Sequence, residues 1–93
     1  MKKKTKMKQV YTLFYTVSGI IIKKMEFTVN PPGQSTIISA WEWEMGSCNW
    51  IPCFKYKILT SGKDPLWFRH SIGVSVEMAR ECWNHYRKDG WAR

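Results

Sequence analysis

The chain of 93 residues is poor in the residues that most short proteins of defined chemistry rely on. It has three cysteines, an odd number, so a fully paired disulfide framework is excluded and free thiols in a reducing compartment are expected. No Gly-rich phosphate loop, no Gly-x-Ser-x-Gly elbow and no His-Glu-x-x-His pair occurs in it. The longest apolar stretch, Val10 to Ile22, is too short for a bilayer-spanning helix and is diluted by Thr12, Thr16, Ser18 and Gly19. Acidic residues are absent from the first 24 positions.

That last absence reshapes the net charge of +8. Residues 1–24 hold seven of the fifteen Lys and Arg and none of the seven Asp and Glu, so they carry +7 and residues 25–93 carry +1. The basicity belongs to a terminal segment, which is a weaker nucleic-acid signal than a basic face. The same segment has the outline of a signal peptide, with Lys2, Lys3, Lys4, Lys6 and Lys8 ahead of the apolar stretch. No Ala-x-Ala-like site follows, and Lys23 and Lys24 come next. A cytoplasmic location is therefore expected, and a membrane partner is not. Two readings stay open for the extension at 1–24. One is a β-hairpin, with Val10 to Val17 and Ile20 to Ile22 as strands around Ser18-Gly19. The other is a stretch upstream of a native start at Met25. Residues 25–93 then form one small domain.

What is abundant is aromatic: six Trp, four Tyr and four Phe, enough to exclude a disordered chain. Asn30-Pro31-Pro32-Gly33 marks a turn. Ile37 to Met45 alternates, with Ile37, Ser39, Trp41, Trp43 and Met45 on one face and Ile38, Ala40, Glu42 and Glu44 on the other. Gly46 to Pro52 reads as a loop. Cys53 to Thr60 reads as a second strand, with Phe54, Tyr56 and Ile58 opposite Lys55 and Lys57. Antiparallel pairing of the two strands puts Glu42 and Glu44 near Lys55 and Lys57. Ser61 to Pro65 is a turn, and Leu66 to His70 a third strand.

The helix is the best-specified element. Ser75 is placed to cap it, Glu77 lies in its first turn, and Arg87 and Lys88 lie in its last. Val76, Ala79, Cys82, Trp83 and Tyr86 form one stripe. Gly90 is placed to stop the helix in a left-handed conformation, which folds Trp91 back onto Tyr86. The expected fold class is α+β: a small antiparallel sheet of three or more strands followed by one C-terminal helix packed on one face.

The run Val74-Ser75-Val76-Glu77-Met78-Ala79-Arg80-Glu81-Cys82-Trp83, closing with Lys88-Asp89-Gly90-Trp91, resembles the C-terminal helix of small uncharacterised proteins of marine cyanobacteria and cyanophages. Those proteins carry strands first and then a helix of the form Ser-x-Glu-x-Ala-Arg-x-x-Trp ending in Gly-Trp. The resemblance implies a family of unknown function and offers no catalytic residue to carry over.

Chemistry-bearing sets are thin. Cys48, Cys53, Cys82 and His85, with His70, have the right donor types for zinc but lack the tight Cys-x2-Cys knuckle, so no metal and no other cofactor is expected. Cys82 and His85 lie three apart on the helix, beside apolar neighbours that disfavour a thiolate. No nucleophile, base and orienting group can be named together, so no enzyme is expected. The surplus of aromatics over what one short helix can cover points to a protein-interaction or accessory module, binding another protein or a second copy. The residues expected to carry it are Trp41, Trp43, Trp50 and Trp67. Lys55, Tyr56, Lys57 and Arg69 add the alternative, single-stranded nucleic acid held by interleaved aromatic and basic side chains.

Overall fold

The computed structural model describes residues 9–31, 34–53, 55–58 and 64–93. Among them run β1 (Gln9–Val17), β2 (Ile20–Val29), β3 (Thr36–Glu44), β4 (Asn49–Pro52), β5 (Tyr56–Ile58), β6 (Leu66–Phe68), β7 (Ser71–Val74) and α1 (Val76–Lys88). The fold is α+β, a small antiparallel sheet with a single C-terminal helix packed against it.

β1 and β2 form a hairpin around Ser18 and Gly19, whose φ values of +51° and +81° suit the turn that matches the strands' twist. β2 runs without a break through Met25 and pairs with β3 from Lys23 opposite Glu42 to Thr28 opposite Ile37. The hairpin thus widens the sheet sideways. It does not fold over the second face, the arrangement that would have closed the molecule.

β3 is the hub. Its other edge is shared by two short strands end to end: β7 against Thr36–Ser39 and β4 against Trp41–Glu44. Ala40 lies at the junction. Its N–H donates to the His70 carbonyl at 2.8 Å and its carbonyl accepts from the Cys53 N–H at 3.0 Å, while the His70 N–H donates to the Cys53 carbonyl at 2.7 Å. These bonds leave no gap in the ladder between the two strands. His70 makes this crossing at φ +39°, a left-handed conformation uncommon outside glycine.

Several expected boundaries move. The stretch taken as a loop, Gly46 to Pro52, contains β4, because the turn closes within Met45–Cys48 and the chain returns early. Turn length sets hairpin register, so Ile51 and Asn49 stand opposite Glu42 and Glu44, and the expected pairing with Lys55 and Lys57 does not form. Among the described residues of the strand expected at Cys53 to Thr60, Tyr56–Ile58 is extended. It pairs with β6 in a separate two-stranded sheet, and Phe54, Leu59 and Thr60 lie outside the described residues. So do Pro32 and Gly33 of the first expected turn and Ser61 to Lys63 of the second. The third strand stops at Phe68, and Arg69 and His70 bend into β7.

The helix forms as its caps require. The Ser75 hydroxyl accepts from the Met78 N–H at 3.1 Å. Gly90 adopts φ +104°, its N–H donates to the Arg87 carbonyl, and the Trp91 N–H donates to the Tyr86 carbonyl at 3.0 Å. That bond pair is the Schellman stop, and it sets the Trp91 ring 5.1 Å from the Tyr86 ring. Ala79, Cys82 and Tyr86 are buried and Trp83 is half-buried, while Val76 at the open end of the stripe is exposed. They cover Leu13, Met25, Phe27, Ile38 and Ala40 of the sheet, with Ile58 and Phe68 of the small sheet completing the core. After Trp91, Ala92 exchanges two hydrogen bonds with Phe14 on the outer edge of β1.

Candidate interaction face

Strand alternation divides the large sheet into two faces. Residues directly opposite in register share a face, so Trp41, Trp43, Lys24, Glu26, Trp50 and Pro52 lie together on the side away from α1. No described element lies over that side, and the three indoles on it are half-buried only by one another and their neighbours.

The rings are arranged as a row. Trp43 and Trp50, opposite each other on β3 and β4, meet edge to face at 5.3 Å and 70°. Lys24 of β2 places its ammonium 4.7 Å from the Trp50 ring and 5.6 Å from the Trp41 ring. The same ammonium is 3.4 Å from Glu26 Oε2, and the Trp41 indole N–H donates to Glu26 Oε1 at 3.1 Å. His70 packs edge-on against Trp41 at 4.5 Å, its Nδ1 3.2 Å from the Ala40 carbonyl. Lys24, Glu26 and the Trp41 indole N–H are partnered within the row, which holds that end in place and leaves the charge there close to neutral.

The other expected binding residues fall elsewhere. Trp67 on β6 is 53% exposed, and the ammonium groups of Lys55 and Lys57 lie 5.1 and 5.6 Å from its ring. Arg69 is exposed in the bend after β6. Tyr56 turns away from this cluster into a ring cluster with Tyr86 and Trp91, at 5.8 and 6.0 Å, and Lys23 lies 5.6 Å from its face. The Tyr86 hydroxyl donates to the Lys57 carbonyl. Burial pushes both tyrosine hydroxyls above their usual range, so they stay neutral hydrogen-bonding groups. The eight residues expected to act together thus divide into a tryptophan row, a basic patch and a core ring.

The thiols separate as buried and exposed. Cys53 and Cys82 are buried and Cys48 lies exposed in the β3–β4 turn; none is bridged. Burial pushes the Cys53 thiol up to about 11, helped by its hydrogen bond to Glu42 Oε2 at 3.4 Å. A thiol so raised is a poor nucleophile at neutral pH. Among the described residues no group of three His, Cys, Asp or Glu is placed to hold a metal ion, and no helix is long and apolar enough to cross a membrane.

Lys24, Glu26 and His70 frame the row and were missed by the sequence reading. Lys24 looked like the end of a basic tail, and only the pairing of β2 with β3 brings it and Glu26 to the row. No family model, curated protein or solved structure matches the chain.

Proposed function

We propose that the chain is a non-catalytic interaction module that associates with a second copy of itself through the uncovered sheet face. The observation that carries this reading is the row of Trp41, Trp43 and Trp50 on a face with no covering layer among the described residues. Tryptophan is the residue most enriched at the energetic centres of interfaces. Charge supports a protein over a polyanion, because the row's one ammonium, Lys24, is already matched by Glu26. Area supports a second copy. The sheet is four strands wide and β3 is nine residues long, which at the usual strand spacing and rise offers roughly 600 Å² per copy. Two such faces would bury about 1,200 Å², the lower bound for stable association.

Sedimentation of the full chain should show a dimer whose dissociation depends weakly on salt, since apolar burial releases no counterions. The double variant Trp43→Glu, Trp50→Glu should sediment as a monomer with its circular dichroism unchanged. A wild-type chain that stays monomeric at hundreds of micromolar would end the self-association reading.

A second reading rests on Lys55 and Lys57 beside the exposed Trp67, a basic and aromatic patch suited to a single strand of nucleic acid. The ammonium groups already lie over the ring on which a base would stack, which weakens it. Binding of a mixed-sequence oligonucleotide that is lost in Lys55→Gln, Lys57→Gln and falls steeply with salt would place this reading first.

A further inference from the structure

We infer that the groove between α1 and the free ends of β1 and β2 is a binding site for a small amphipathic carboxylate, a molecule with an apolar body and one anionic end. The inference does not depend on the tryptophan row, which lies on the opposite face of the sheet.

The groove encloses about 520 Å³, within the range of small-molecule sites. Its walls follow from register and helix spacing. Tyr11 and Phe27 are opposite each other in the β1–β2 ladder and point toward the helix. Trp83 descends from α1 between them, its ring 5.1 Å from Phe27 and 6.4 Å from Tyr11, both edge to face. Val29 and Ala79 extend the apolar lining, and Val76, 40% exposed, forms its outer lip. Tyr11 is also left 39% exposed, so the groove presents unsatisfied apolar surface to water.

The polar side chains of the groove are cationic or neutral. Arg80 and Asn84 are four apart on α1 and so lie on one row along it. Arg93 lines it from the C-terminal segment, its guanidinium 5.9 Å from the Trp83 ring. No Asp or Glu lines it: Glu77 and Glu81, the nearest acids along the helix, do not take part. Among the described residues neither guanidinium forms an ion pair, and the positions outside that set contain no acid. Two guanidiniums without an ion pair, both lining an apolar groove, complement a carboxylate, which can accept paired hydrogen bonds from a guanidinium fork. A cationic headgroup at the same rim would be repelled by both guanidiniums, while the apolar walls would still hold its tail.

The test is isothermal titration of the full chain with decanoate, kept below its micellar concentration, against decyltrimethylammonium, a cation of the same tail. Decanoate should bind one to one with a dissociation constant on the order of 10–100 µM. The cation should bind about tenfold more weakly or worse, the worth of a charge-assisted hydrogen bond. Arg80→Gln with Arg93→Gln, both surface changes, should remove that preference, and Val76→Trp should weaken both ligands by filling the lip. Trp50→Glu, on the other face, should leave decanoate affinity unchanged. Equal affinity for the two ligands, undiminished decanoate binding by the double Arg variant, or no saturable binding below about 1 mM would overturn the inference.

Discussion

The two faces of one strand, β3, invert the usual rule of size. On the covered side lie Ile38 and Ala40, both fully buried; on the open side lie Trp41 and Trp43, half-exposed. The reason is distance. α1 reaches the sheet through Ala79 and Cys82, small residues that let the layers approach. An indole in place of Ala40 would hold the helix away and open cavities around it. On β3 the indoles are therefore on the face that no helix must approach.

The sharpest way to break this comparison is to truncate one residue on each side. Leu13→Ala, on the covered face and fully buried, should cost roughly 2–5 kcal/mol in denaturant unfolding. Trp43→Thr, on the open face, should cost only about 1 kcal/mol, the worth of its ring pair with Trp50. Similar losses for the two would mean that the open face is as structurally committed as the core.

Proton linkage should also report the covered side. Cys53, Tyr56 and Tyr86 all have folded-state pKa values raised by burial. The unfolded chain then gives up protons first as pH rises, so these groups stabilise the fold below about pH 9 and that stability is lost on going upward. Urea midpoints should stay level to about pH 9 and fall between there and about 11, with Cys53 contributing on the order of 2 kcal/mol. Cys53→Ala should delay the onset of the fall. A midpoint that rises with pH through this window would contradict the burial of these groups.

Two smaller effects sharpen the picture. Gly90→Ala should lower stability by roughly 1 kcal/mol, because a Cβ is strained at a left-handed helix stop. The position is otherwise open, with nothing near a built Cβ, so an unchanged midpoint would refute the strain argument alone. Thiol titration at pH 8 should modify Cys48 at once and Cys53 and Cys82 only on unfolding. Fast reaction of Cys82 would mean that the helix opens readily from the sheet.

How much of this was legible differs by element. Ser75, Gly90 and the Tyr86–Trp91 contact were readable because a helix and its caps depend on neighbours within six positions. β4 and β7 were not. Each is four residues long, and Pro52 and Gly73 give them the composition of loops. The tryptophan row was half legible: Trp41, Trp43 and Trp50 stood out by type, while Lys24, Glu26 and His70 did not. The grouping with Trp67, Lys55, Tyr56, Lys57 and Arg69 dissolved, because β5 pairs with β6 and not with β3.

By itself the sequence determined the α+β class, the helix with both its ends, and the two-sided alternation of β3, since each follows from local periodicity and backbone preference. Only the tertiary structure decided which side of β3 faces the helix, that one edge of β3 is divided between β7 and β4 across Ala40, and that the first hairpin widens the sheet instead of covering it. Those choices are made by contacts between residues far apart in the chain. Alternation puts side chains on two faces but cannot say which face a distant helix will cover.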